Sequence, residues 1–160
     1  MTYKPTKHND SGTIFVVDPS PLNWLSILFN TMEEVIRADR FGNIVPSLAQ
    51  SYRWIDQKTV EFVLRRDVHY HNGENFSADI VKLNFRQTKR WIAPHPPGTW
   101  LNLPNGSELE IIDDFTIRFH FPKPDGLAVA KMRAHHNANH LFWQQIGFGY
   151  AKTGSGEGHW

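Results

Sequence analysis

The 160-residue sequence contains no cysteine, which excludes disulfide frameworks, thiolate zinc sites, iron–sulfur clusters and cysteine nucleophiles together. It has no excess of charge: 17 basic against 16 acidic residues leave a net charge of +1 and no electrostatic footprint for nucleic acid or an anionic membrane. No stretch approaches the ~20 apolar residues of a membrane span. The N-terminal MTYKPTKHND is polar and lacks the apolar run of a secretory signal. There is no G-x-S-x-G nucleophile elbow, and Gly154-Ser155-Gly156-Glu157-Gly158 lacks the Lys-Ser/Thr and following helix of a phosphate loop. No repeat and no charge block interrupts the chain.

What is present suffices for one core, with 40% hydrophobic and 13% aromatic residues. After a polar lead-in over residues 1–12, Thr13 to Val17 reads as a buried strand ending at Asp18-Pro19. Trp24, Leu25, Leu28, Met32, Val35 and Ile36 recur at three- and four-residue spacing, which predicts a helix over about 21–36. Ile44 to Pro46 is a brief extended piece, and Ser47 to Gln50 would form a single helical turn.

Alternation of Tyr52 and Trp54, then of Val60, Phe62 and Leu64, across Asp56-Gln57-Lys58 predicts a hairpin with one face on a core. Trp54 is expected inside. Ser77 is a suitable N-cap, with Asp79 in the first turn, for a helix over about 78–91 whose repeat is Ile80, Val81, Asn84 and Phe85. Residues 93–106, with four prolines and two glycines, read as a loop. A second hairpin spans 109–112 and 115–121 across Asp113-Asp114, with Phe115, Ile117, Phe119 and Phe121 on one face. Leu127 to Arg133 is expected to be helical, and 151–160 is a Gly-rich tail. Hairpins interspersed with single helices make an α+β lobe around a small mixed or antiparallel sheet.

The order of motifs narrows this further. MEEVIRADRFGNIVPSLAQSYRW leads through a Gly turn into Val45-Pro46-Ser47-Leu48-Ala49. Asp56, Thr59-Val60, Phe62 and Leu64-Arg65 follow at fixed intervals, then Val68-His69-Tyr70-His71-Asn72-Gly73, Phe76-Ser77-Ala78-Asp79-Ile80-Val81, Ile111 to Ile117, and Phe121-Pro122-Lys123-Pro124. In this order they resemble the family 5 extracellular solute-binding proteins, the ligand-capturing components of peptide and nickel ABC importers. Met32 and Glu34 stand where that family has Tyr and Gly, and Glu157-Gly158 where it has Pro-Tyr.

The resemblance implies part of the N-terminal lobe of a type II periplasmic-binding-protein-like fold over residues 13–150, with the second lobe absent from this chain. It implies a periplasmic or extracytoplasmic binding protein for a small solute, an oligopeptide or metal chelate, working with an ABC permease and without a cofactor or catalysis. Asn23, Trp24, Leu25 and Met32 fall in the segment that passes along the family's ligand cleft, and Trp100 lies in the Pro-rich loop. An indole provides rigid apolar area with one donor. Arg133 stands alone after the last hairpin, and a guanidinium suits a ligand carboxylate through paired hydrogen bonds. A surface role is the plainer reading of Arg133, and a scaffold role that of Glu33.

Two other classes remain open at this level. One is a non-transporting remnant or interaction domain that retains the lobe scaffold. The other is a metal-binding protein or hydrolase built on nine histidines: His69 and His71 would share a strand face, and His135, His136 and His140 a helical one. No carboxylate near His135 in sequence completes such a site. Asp113 and Asp114, at a hairpin turn, would point apart and form no acid–base pair.

Overall fold

The computed structural model describes residues 31–89 and 103–145. The expected strand at 13–17, most of the helix over 21–36, the loop as far as 102 and the Gly-rich tail lie outside these residues, as do Asn23, Trp24, Leu25 and Trp100.

Eight strands and three α-helices follow in chain order: β1 (Glu33–Glu34), β2 (Ile36–Ala38), β3 (Ile44–Pro46), β4 (Ala49–Asp56), β5 (Thr59–Leu64), α1 (Ala78–Lys89), β6 (Glu108–Asp113), β7 (Thr116–His120), α2 (Ala128–Lys131), a 3-10 turn (Met132–Ala134), β8 (His136–Asn137) and α3 (His140–Gln145). Four strands form an antiparallel sheet in the order β4-β5-β7-β6. β2 pairs with β3, and β1 with β8. This is the α+β lobe expected from the alternating pattern, and every strand pair is antiparallel.

Register explains the two faces of the sheet. Val60 lies opposite Trp54 and Phe119, and Phe62 opposite Tyr52 and Ile117, so these residues share one apolar face. Helix α1 packs on that face over β6 through its buried stripe of Ile80, Val81, Asn84 and Phe85. Asp79 in its first turn and Arg86 and Lys89 in its last oppose the helix dipole favourably. At the centre, Phe119 meets Phe85 edge-on at 5.2 Å and Phe62 edge-on at 6.0 Å.

The other face carries a charged row. Glu61 lies between Arg53 and Arg118 in register, accepting from Arg53 Nε at 2.8 Å and Arg118 Nε at 2.9 Å. The hydrogen bond from Arg53 first, then that from Arg118, holds the Glu61 carboxyl below the usual carboxylate range. Its cover is the two guanidiniums rather than apolar core.

Three expectations are corrected. The end of the predicted 21–36 helix is extended: β1 and β2 take up residues 33–38, because their backbone groups pair with β8 and β3. Ile36 is buried from β2 and Val35 from the bend between β1 and β2, not from a helix face. Ser47 to Gln50 does not form a helical turn; the Leu48 and Ala49 amides donate to the Glu34 and Val35 carbonyls, and β4 begins at Ala49. Trp54 is not a core residue. It is 40% exposed and Tyr52 41%, since β4 is an edge strand and α1 packs on this face over β6, at the far edge of the sheet. Both rings still touch the core, Tyr52 against Phe62 at 5.8 Å and Trp54 against Phe121 at 6.1 Å. The β4–β5 register shifts between Ala49 and Ser51 and again between Trp54 and Asp56.

The turns agree with the sequence. Gly42, Gly73 and Gly106 have φ near +85°, the region where a side chain is strained. Ser77 immediately precedes α1. Leu127 to Arg133 is helical in two pieces, α2 and then the 3-10 turn. Among the described residues, no helix is long and apolar enough to cross a membrane.

Candidate ligand-binding site

The two described candidates flank the short β1–β8 ribbon. Met32 immediately precedes β1 and is half-buried. Arg133 is half-buried in the 3-10 turn, which packs against β1 and β2 and leads directly into β8. In register, Glu33 lies opposite Asn137 and Glu34 opposite His136. Residues a hundred positions apart thus share one structural unit, which no local pattern could reveal.

The ribbon rests on buried polar groups. Glu34 is wholly buried, and its two oxygens accept from Arg37 Nε at 3.2 Å and Nη2 at 3.1 Å. Arg37 is held ionised first by that hydrogen bond, which raises its pKa. Glu33 faces outward and accepts from Ser47 Oγ at 3.4 Å, a scaffold contact. The Asn137 amide donates to the His135 carbonyl at 3.0 Å and the Glu33 carbonyl at 3.5 Å, bracing both strands.

The histidines are dispersed. His69 bridges Asn75 in a loop and His71 sits in the adjacent turn. His135, His136 and His140 do not share a helical face: His135 ends the 3-10 turn, His136 lies in β8 and His140 opens α3. The extended backbone needed to pair with β1 separates them. Among the described residues, no group of three or more His, Asp or Glu side chains is arranged to hold a metal ion. At the hairpin turn, the Asp113 carboxylate accepts from the Phe115 amide at 2.8 Å, a turn contact, and the Asp114 main-chain carbonyl accepts from the Ala78 amide.

Sequence reasoning missed two residues that fix this region. Asn84, read as one more position of a helical repeat, is a buried polar junction to Ala138 and Trp143. Its signal was a polar residue on an otherwise apolar stripe. Glu74 reaches from the loop before α1 to the His140 amide and ring Nδ1 at the start of α3. Nearby in sequence, Tyr70 is packed against Phe76, and burial, with a lesser contribution from Glu74, raises its phenol above the ordinary value. The Tyr70 hydroxyl has no hydrogen-bond partner among the described residues.

The fold is similar to those of solved solute-binding proteins. NikA from Brucella suis in complex with Fe(III)-EDTA matches with a TM-score of 0.58 and 25% identity, over 69% of this chain and 22% of that one. OppA from Haemophilus influenzae, in complex with RPPGFSPFR, matches with a TM-score of 0.62 and 20% identity, over 78% of this chain and 28% of that one. The architecture is therefore a portion of a type II periplasmic-binding-protein fold. At the level of sequence, the model for the middle region of the bacterial extracellular solute-binding proteins, family 5, matches residues 43–155. The chain belongs to that family. The nickel-binding periplasmic protein of Escherichia coli (strain K12) is 36% identical over 74 residues, 46% of this chain and 14% of that protein. The chain thus spans less than a third of the length of each of these relatives.

Proposed function

We propose that this chain supplies one wall of the ligand site in the substrate-binding component of an ABC importer, for oligopeptides or metal chelates, acting outside the cytoplasm and without catalysing a reaction. The observation that carries the proposal is the position of Arg133: a half-buried arginine in the turn that abuts β1, next to the strand that Met32 enters, in a chain of family 5. A guanidinium there offers a planar pair of donors to a ligand carboxylate. Met32 offers an adaptable apolar contact. Asn23, Trp24, Leu25 and Trp100 complete the proposed contacts, the indoles as flat walls. The ligands held by two of these relatives, a metal chelate rich in carboxylates and a nonapeptide, both suit such a site.

The test is calorimetry on the product of the entire reading frame, with Fe(III)-EDTA and the peptide RPPGFSPFR as probes. Micromolar binding of either supports the reading. A folded protein that binds neither removes both ligand classes.

A further inference from the structure

We propose that Asn84 is the positioning residue of the ligand-facing segment, an inference that rests on the placement of Arg133 argued above. Asparagine is a poor helix former, and burying its amide in an apolar stripe is unfavourable unless its hydrogen-bonding capacity is filled. Asn84 is nevertheless in the middle of α1 and only 4% exposed.

Its amide is filled completely. Nδ2 donates to the Ile80 carbonyl at 2.8 Å and to the Ala138 carbonyl at 2.8 Å. Oδ1 accepts from the Ala138 amide at 2.9 Å and from the Trp143 indole Nε1 at 2.9 Å. Two donors and two lone pairs are thereby used, and a flipped amide would set its oxygen against two carbonyls. The orientation has one solution.

The pairing with Ala138 runs in both directions, amide to oxygen and carbonyl to nitrogen, as a neighbouring strand would provide. That matters because β8 is only two residues long and its strand partner β1 is equally short. A two-residue ladder cannot hold a segment by itself. The chain between Arg133 and Trp143 is held at one end by β1 and by Phe85 of α1 against His135, and beyond β8 by the Asn84 amide, with Glu74 on His140 as a further tie. Asn84 thereby sets where the ribbon sits relative to α1, and with it the turn that carries Arg133.

The experiment combines hydrogen exchange with probe binding in the product of the entire reading frame. Asn84→Ala should speed exchange at the Ala138 amide and the Trp143 indole by about tenfold or more while the β5–β7 ladder stays protected. It should also weaken binding of Fe(III)-EDTA or RPPGFSPFR by about tenfold, as Arg133→Ala does directly. Should Asn84→Ala not fold, Asn84→Ser, which keeps a small polar group on the buried stripe but cannot span both directions of the Ala138 pairing, reads the same two signals. Unchanged exchange at Ala138 and Trp143 overturns the proposal. So does faster exchange with full affinity in a protein whose Arg133→Ala variant has lost binding. If Arg133→Ala itself leaves affinity intact, the assignment of the ligand site fails and the positioning role falls with it, and the exchange data separate that outcome from a failure of Asn84 to hold the segment.

Discussion

Glu34 and Arg37 form an asymmetric pair in which the carboxylate is wholly buried while the guanidinium side chain remains 44% exposed. Removing the two partners therefore has different consequences. Arg37→Ala strands a charge in the interior and should destabilise by about 2–4 kcal/mol, somewhat less than the loss of a partner from a fully buried pair. Arg37→Lys recovers only part, because an ammonium cannot reproduce both bonds. Urea unfolding midpoints check this; an Arg37→Ala loss below about 0.5 kcal/mol would contradict a Glu34 carboxylate that is buried and relies on Arg37.

Glu61 gives a pH dependence whose sign is fixed. Its carboxyl is depressed by Arg53 and then by Arg118, so its contribution is fully present above the unfolded carboxyl value and is lost as pH falls through the lower folded value. The stability gap between the native protein and Glu61→Gln should be constant from neutral pH to about 5 and close below that. Denaturant titrations at a series of pH values measure the gap, and one that widens on acidification is the contrary result.

Phe119 and Trp54 lie on the same sheet face and should behave differently. Phe119→Ala removes two edge-on ring contacts from a site 1% exposed and is expected to cost about 3–5 kcal/mol. Trp54→Ala, on the half-exposed edge strand, should cost about 1–2 kcal/mol. Thermal unfolding of the two variants side by side tests the order.

Tyr70 is a case where deletion should be harmless. Its buried hydroxyl finds no partner among the described residues, so Tyr70→Phe should be neutral or stabilise by up to about 1 kcal/mol. A clear loss of stability in Tyr70→Phe would reveal a bonded hydroxyl.

Affinity should require more than this chain. Residues 1–160 alone should bind Fe(III)-EDTA and RPPGFSPFR weakly or not at all, since they span 22% and 28% of the relatives that hold those ligands. Micromolar affinity in calorimetry of the isolated chain would refute that expectation.

The elements legible in the sequence are those with a local cause. The β4–β5 and β6–β7 hairpins announce themselves through period-two alternation and polar turns, and α1 through an apolar stripe after Ser77. The ribbon was not legible. β1 and β8 are two residues long and exist because backbone groups distant in sequence meet, while β2 is a three-residue strand paired with β3, so Val35 and Ile36 match a helical period equally well. Trp54 was misjudged for a related reason: alternation identifies the face of a strand but not whether a helix covers it. At the site, Arg133 stood out as a lone cation, whereas its proximity to β1 depends on the fold of everything between.

The two register shifts in β4 bear on the edge that it forms among the described strands. They displace the outer row of backbone donors and acceptors from the straight repeat an incoming strand would need. Tyr52 and Trp54 can therefore remain wet while the sheet ends where it does, a surface that is apolar in its side chains yet a poor template for growth by another strand.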